Sequence, residues 1–158
     1  PLHMAVSRSI HMVEALLNHR HIDVNSRDAT KLTPLVNAAE DGADIAILQM
    51  LVAKGALVDA VNNTGHTALM VAAHKSVHNV VVFLLAEGAS VNMKTADGTT
   101  ALHMATDVHV TKTLLAAGAD SCARDNRLST PLHAACTKGL EHVCVLLLHA
   151  GAEVFAED

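Results

Sequence analysis

Twelve histidines and three cysteines in 158 residues are the side chains best equipped for chemistry in this chain. A zinc site needs three or four N, S or O ligands converging on one point. His19 and His21 lie two apart with His11 nearby, yet no carboxylate or Cys completes a set at zinc-like spacing. Cys136 follows His133 by three residues and could be drawn as a Cys–His nucleophile, but both fall on one short segment whose other residues are accounted for by packing. Neither Gly-x-x-x-x-Gly-Lys nor Gly-x-Gly-x-x-Gly occurs, so no phosphate-cradling loop is expected. With no activated nucleophile and no paired acid and base, the sequence reads as a non-enzyme without metal or cofactor, its histidines structural or solvent-facing. Cys122, Cys136 and Cys144 are too few and too odd in number for a disulfide framework, and no Cys-x-x-Cys pair suggests zinc. Small buried thiols in a reducing compartment, cytoplasm or nucleus, are the expectation.

Composition narrows the partners. Eleven basic residues face sixteen acidic ones, a net charge of −5 with both signs interspersed, which is wrong for a non-specific nucleic-acid or acidic-membrane binder. Phe83 and Phe155 are the only aromatics, so base-stacking platforms are missing and no Tyr- or Trp-anchored patch can exist. The longest wholly apolar run, Val80 to Ala86, is far below the ~20 residues that span a bilayer. The chain shows no charged-then-apolar leader and starts on Pro, which reads as a piece of a longer chain.

The elements that must position these side chains recur. Thr130-Pro131-Leu132-His133-Ala134-Ala135 returns as Thr100-Ala101-Leu102-His103-Met104-Ala105, as Thr67-Ala68-Leu69, as Thr33-Pro34-Leu35 and as Pro1-Leu2-His3-Met4-Ala5. Leu2, Leu35, Leu69, Leu102 and Leu132 stand 33, 34, 33 and 30 apart. A second landmark keeps step: Leu84-Leu85, Leu114-Leu115 and Leu146-Leu147-Leu148 each precede Gly-Ala, with Met50-Leu51 before Gly55-Ala56 a looser copy. Thr can cap a helix start and Pro is free at the first helical position, so each Thr-Pro-Leu opens a helix. Gly42 and Gly139 then make a turn, and Val143, Leu146 and Leu147 mark the apolar face of a second, antiparallel helix. Gly55, Gly88, Gly118 and Gly151 end that helix in a left-handed residue. Val58, Val91 and Val154 are expected to begin short extended segments leading to Gly65 or Gly98 in a hairpin-like loop. Helices this short are marginal alone, so stacking must hold the chain together.

This pattern resembles the ankyrin repeat over essentially the whole chain, through Thr-Pro-Leu-His-x-Ala, Leu-Leu-x-x-Gly-Ala and the Val-Asn at Val24-Asn25 and Val91-Asn92. The resemblance implies an all-α solenoid, one domain over 1–158 with units of about 1–32, 33–66, 67–99, 100–129 and 130–158, the first and last incomplete. It implies a protein-binding module. The fourth unit is three residues short between Ala105 and Leu114, which predicts a truncated first helix or an altered turn. Lys31 and Leu128 replace the loop glycine, so their loops either differ or carry strain of about 1 kcal/mol or more. Cys122 and Phe155 replace the loop Asn, and Val36 and Met70 replace the motif His. The last helix keeps its full apolar set, so further repeats or another domain are expected to flank this piece.

Carried over from the family, partner contacts fall on loop tips and on polar positions of the first helices. The tips are Ala29, Thr30 and Leu32; Asn63, Thr64 and His66; Ala96, Asp97 and Thr99; Asn126, Arg127 and Ser129. The helix positions are Ser7 and Arg8, Glu40 and Asp41, His74 and Lys75, Asp107, Thr137 and Lys138. Arg127, Leu32, His66 and His74 lead, Leu32 because an exposed Leu at a tip lacks a core reason; taken singly, each polar residue is more often merely solvated than a contact. The expected partners are proteins, with no nucleic acid, membrane or small molecule. Asn25 and Asn92, each eight residues after a Leu, are similar to asparagines that a hydroxylase modifies in ankyrin loops; the plain alternative is that each bonds its own turn. The Ala135-Cys136 and Val143-to-Leu147 helices resemble those of ankyrin substrate receptors that carry a SOCS box. The rival reading is a regulatory segment acting in cis within a larger enzyme or channel.

Overall fold

The computed structural model describes residues 1–152, so Val154 and Phe155, with the expectations attached to them, lie outside the described residues. Five short helix pairs follow one another: α1 (Leu2–Val6) with α2 (Ile10–Leu17), α3 (Pro34–Glu40) with α4 (Ile45–Ala53), α5 (Ala68–His74) with α6 (His78–Ala86), α7 (Ala101–Met104) with α8 (Val108–Ala116), and α9 (Pro131–Thr137) with α10 (Glu141–His149). The first helices pack on one another in chain order, and the second helices do the same, giving two helical layers. The core runs between the layers through Leu35, Leu48, Leu51, Leu69, Leu84, Leu114 and Leu147, all fully buried. Alanines at Ala38, Ala39, Ala72 and Ala73 are buried as well and let the first helices approach closely.

Local chemistry sets the helix ends. Thr33 and Thr67 accept the amides of Val36 and Met70 three residues on, and both threonines are buried. At the fourth and fifth starts the motif His completes a reciprocal cap with Thr100 and Thr130. Second helices start on Ser9, Asp44 and Asp107 side chains in three pairs. The last four end in one motif: Ala56, Ala89, Ala119 and Ala152 amides reach back to the carbonyls of Leu51, Leu84, Leu114 and Leu147 at 2.9–3.0 Å, across a glycine of positive φ.

The shortened unit behaves as its length predicts. Its first helix, α7, has four residues, against seven in α3, α5 and α9, and Ala105 leaves it in an extended conformation (φ −57°, ψ 133°). The left-handed turn residue of the neighbours (Gly42, Ser76, Gly139) has no counterpart there, and a groove of about 310 Å³ lies between Thr106–Val108 and Gly139–Val143.

Two expectations are corrected. No strand forms among the described residues, and the segments expected to be extended at Val58 and Val91 are tight turns, closed by Ala60 N–H to Leu57 C=O and Met93 N–H to Ser90 C=O. In the corresponding loops of the first and fourth repeats a short polar side chain takes up a backbone amide and draws the chain into the turn: Asp23 accepts from Asn25, and Asp120 from Cys122. The thiols are also not buried as a set. Cys136 is exposed and Cys144 half-buried, because α9 and α10 have described neighbours on one side only, and Cys122 is half-buried in the turn after α8.

Lys31 and Leu128 adopt positive φ, 58° and 62°, so these loops accept strain and do not change shape. Leu128→Gly is expected to raise stability by about 0.5 kcal/mol, the ~1 kcal/mol of left-handed strain less the entropy Gly adds to the unfolded chain. Leu128 is 46% exposed, so little burial is lost. Thermal melts of the two proteins check it.

Candidate protein-binding surface

The loop tips are built alike. One short polar side chain starts each, at Asp28, Asn62, Thr95 and Asp125, and its oxygen accepts amides inside the tip. Asp28 takes Thr30 and Leu32, Asn62 takes Thr64 and His66, Asp125 takes Arg127 and Ser129, and Thr95 takes Thr99, all at 2.8–3.1 Å. Each tip is then closed by a backbone bond from the same residue to the carbonyl four on: Leu32, His66, Thr99 and Ser129. The Thr30 hydroxyl, with the two backbone amides, holds the Asp28 carboxyl below its ordinary range. These four organisers were not singled out from the sequence, although their spacing of 34, 33 and 30 follows the motif leucines and could have revealed them.

The tips are joined in two pairs, the first to the second and the third to the fourth. Asn63 N–H donates to Thr30 C=O at 3.2 Å, Asn126 N–H to Asp97 C=O at 2.9 Å, and the Asn126 amide to Ala96 C=O at 2.9 Å. Motif histidines support the first and last tips from below: His3 Nε2 lies 2.8 Å from Leu32 C=O, and His103 Nε2 3.0 Å from Ser129 C=O. The two tips so supported are the two strained ones, with Lys31 and Leu128. Val36 and Met70 supply no such donor, and the tips that follow them carry Gly65 and Gly98 at the positive-φ position. Strain persists where surrounding bonds over-determine the backbone.

Among the expected contact residues, Asp97, Asn126 and Arg127 come together with Thr99 and Asp125 around a cleft of about 260 Å³ between the last two tips. Asn63 and Thr64 are exposed one tip back, and His66, half-buried, is bonded through Nδ1 to the Thr64 hydroxyl at 3.0 Å. Leu32 is corrected: it is half-buried against the core, so it has a packing reason. Arg8, Glu40, His74 and Lys75 are exposed at the far ends of the first helices, away from the tips. His74, Lys75 and Lys138 sit at helix C-termini, where a cation is favoured by the helix dipole; Glu40 and Asp41 sit at the same end of α3, where an acid is disfavoured by a few tenths of a kcal/mol. Asp41 recovers part of this by accepting the Ser7 hydroxyl, whereas Glu40 has no stabilising reason to be there.

Two expected contact residues have structural work. Asp107 caps α8, and the Val110 amide, with that of His109, draws its carboxyl below the ordinary range. Lys138 donates to the His103 carbonyl at 3.3 Å, and desolvation lowers its pKa. Asn25 and Asn92 do not bond their own turns through their side chains. Asn25 Nδ2 donates to Gly55 C=O and its Oδ1 accepts from Leu57, and Asn92 does the same with Gly118 and Asp120, so each ties its loop to the next repeat.

A row of less polar positions also escaped sequence reading. Two residues after each motif Leu stand Met4, Asn37, Val71, Met104 and Ala134, which the stacking of α1, α3, α5, α7 and α9 aligns. Met4 is 62% exposed and the others are half-buried, so the row is a shallow and mainly apolar strip. Methionines suit such a strip because they adapt to a partner's shape.

Comparison with known proteins agrees with this geometry. The family model described as ankyrin repeats (3 copies) matches residues 2–95, 35–125 and 77–158, and so reaches nearly every residue. The chain belongs to the ankyrin repeat family. It is also 30% identical, over 161 aligned positions and its full length, to an ankyrin repeat protein of fowlpox virus (strain NVSL). The chain spans about a third of that relative's length (33%). Ankyrin repeats are a general protein-interaction module and the family is generally non-catalytic. Among the described residues no group of three or more His, Cys, Asp or Glu could hold a metal ion, and no helix is long and apolar enough to cross a membrane.

Proposed function

We propose that this chain is an intracellular protein-binding module of five ankyrin units, spanning 1–158, whose partner is a protein that lies along the loop tips and the first-helix strip. The observation that carries the reading is the bonding of the third tip to the fourth, which presents Asp97, Asn126 and Arg127 around one cleft on a backbone already held in place. Preorganisation of this kind lowers the entropy cost of association. Arg127, with Asp97 beside it, suits a partner offering both a carboxylate and a donor, and Met4, Val71 and Met104 suit an apolar ridge. Nucleic acid, a membrane and a small molecule have no place in this reading. We assign Asn25 and Asn92 to the frame in preference to hydroxylation, because both ends of each amide serve the next repeat. The finer reading, an adaptor or substrate receptor, rests on the likeness of α9 and α10 to helices of SOCS-box receptors.

The test is capture of partners on the whole chain, identified by mass spectrometry, followed by Arg127→Ala combined with His74→Ala. Both side chains are exposed. Affinity for the captured partner is expected to fall about tenfold or more, as when a hot-spot side chain is truncated, with Tm unchanged. Loss of affinity and Tm together would make the two residues structural, and unchanged affinity would move the interface elsewhere.

A further inference from the structure

Cys136 and Cys144 stand apart from the other side chains that could do chemistry. Their Sγ atoms are 3.5 Å apart, one on the penultimate residue of α9 and one on the fourth residue of α10. The approach is set by backbone: Gly139 N–H bonds to Cys136 C=O at 3.0 Å, Leu140 N–H to Ala135 C=O at 3.0 Å, and Cys144 N–H to Leu140 C=O at 2.9 Å. The buried residues of the pair are Pro131, Leu132, Ala135, Val143 and Leu147; Cys144 packs only partly against them and Cys136 is exposed. The third cysteine, Cys122, points its thiol at the Gly151 carbonyl at 3.5 Å and is bonded to neither of the other two.

We propose that Cys136 and Cys144 form a peroxide-responsive dithiol that closes into an intramolecular disulfide and clamps α9 to α10. The sulfurs need to move together by about 1.5 Å to reach the bond length of roughly 2.05 Å, a displacement that rotation of two side chains on fixed helices can supply. Cys136 is exposed and meets the oxidant first. Its thiolate attacks one oxygen of a hydroperoxide; the O–O bond breaks, a sulfenic acid forms, and the leaving oxygen departs as water or alcohol after taking up the thiol's proton. Cys144 is the resolving thiol. Its sulfur attacks the Cys136 sulfur, the S–O bond breaks, and the hydroxyl leaves as water with the Cys144 proton. Two thiols are oxidised by two electrons and the peroxide is reduced by two. Burial and the bond to Cys136 favour the protonated form of Cys144 until then, which suits the order of events. A small dithiol, or two equivalents of a monothiol, reverses the reaction by exchange.

The clamp closes the loop that carries Lys138, whose ammonium bonds to the His103 carbonyl of the preceding repeat, so oxidation stiffens the join between the last two repeats.

Trypsin makes the test direct, because Lys138 lies between the two cysteines and Cys122 falls in a third peptide. The full chain is treated with hydrogen peroxide or kept reduced, alkylated after unfolding, and digested. Oxidised protein is expected to give peptide 128–138 joined to peptide 139–158, separated again by reductant and absent in both Cys136→Ser and Cys144→Ser. Cys122→Ser is expected to leave the product unchanged. The Tm of the oxidised wild type is expected to lie about 5 °C above the reduced form, the shift for closing a short loop in a chain of this size. Separate peptides after oxidation, a cross-link through Cys122, or no gain in Tm would each overturn the proposal. Reduced Cys136→Ser melting with reduced wild type shows that loss of the cross-link is chemical and not a failure to fold.

Discussion

Gly98→Ala is expected to destabilise the chain by about 2–4 kcal/mol, lowering Tm by roughly 6–12 °C. Gly98 holds φ +78°, and an added Cβ would stand 2.9 Å from the Asp125 Cα, 2.9 Å from the Asn126 Oδ1 and 3.0 Å from the Asn126 nitrogen. Two of those atoms are backbone and cannot swing away. The loss divides into about 1 kcal/mol of left-handed strain and the remainder from forcing the third and fourth tips apart. Gly118→Ala isolates the first part, since Gly118 has a similar φ of +85° and nothing within 4 Å of its added Cβ. The difference between the two melting temperatures therefore measures the tip-to-tip packing. Because Asn126 N–H to Asp97 C=O is the bond nearest the clash, Gly98→Ala should also weaken partner binding, whereas Gly118→Ala should leave it intact. Equal Tm losses for the two variants would mean that the tips do not bear on one another.

Much of this frame is legible in the sequence, and the limit has a physical cause. Helix starts, turns and left-handed ends are written by residues that act on their own neighbours: Thr33 on Val36, Gly55 on Leu51 through Ala56, and the three-residue deficit on α7. Those effects repeat with the motif and are read from spacing. Relations across repeats are not. Nothing in the local pattern separates Leu32, which turns toward the core, from an exposed tip residue, or shows that Asn25 reaches the Gly55 carbonyl 30 residues on. The thiol pair was hidden for the same reason: each cysteine occupies an ordinary position in its own helix, and only the packing of α9 on α10 brings the sulfurs together. Position also separates the charged residues by role. Asp107 and Lys138 look like contact residues until their caps and carbonyl partners are seen, while Glu40 and Arg127 keep no such duty.

His103 is where the frame and the binding surface meet, and its replacement carries the second large effect. The ring is 5% exposed and uses both nitrogens: Nδ1 accepts the Thr100 amide at 3.2 Å and pairs with its hydroxyl at 2.8 Å, and Nε2 donates to Ser129 C=O at 3.0 Å. This arrangement requires the neutral tautomer with the proton on Nε2. Burial, above all, pushes its pKa below the ordinary 6.5, with the Ser129 bond and Asp125 opposing and Lys94 and Lys138 assisting. The folded state therefore binds fewer protons than the unfolded chain below pH 6.5, and stability is fully present above that value and lost as pH falls toward the lowered one. His103→Ala should cost about 2–3 kcal/mol, since it leaves the buried Thr100 amide without its acceptor, leaves the Ser129 carbonyl with the Asp125 amide alone, and opens space in the layer. It should also flatten the decline of stability as pH falls below about 6.5. Melting curves of both proteins across that range measure the two effects separately. The strained tip supplies a sharper check: if His103 holds Leu128 at φ 62°, removing the ring lets that backbone relax, and Leu128→Gly should stabilise the His103→Ala background less than it stabilises the wild type. Equal gains in the two backgrounds would show that Asp125 and the closing backbone bond impose the left-handed turn without the histidine.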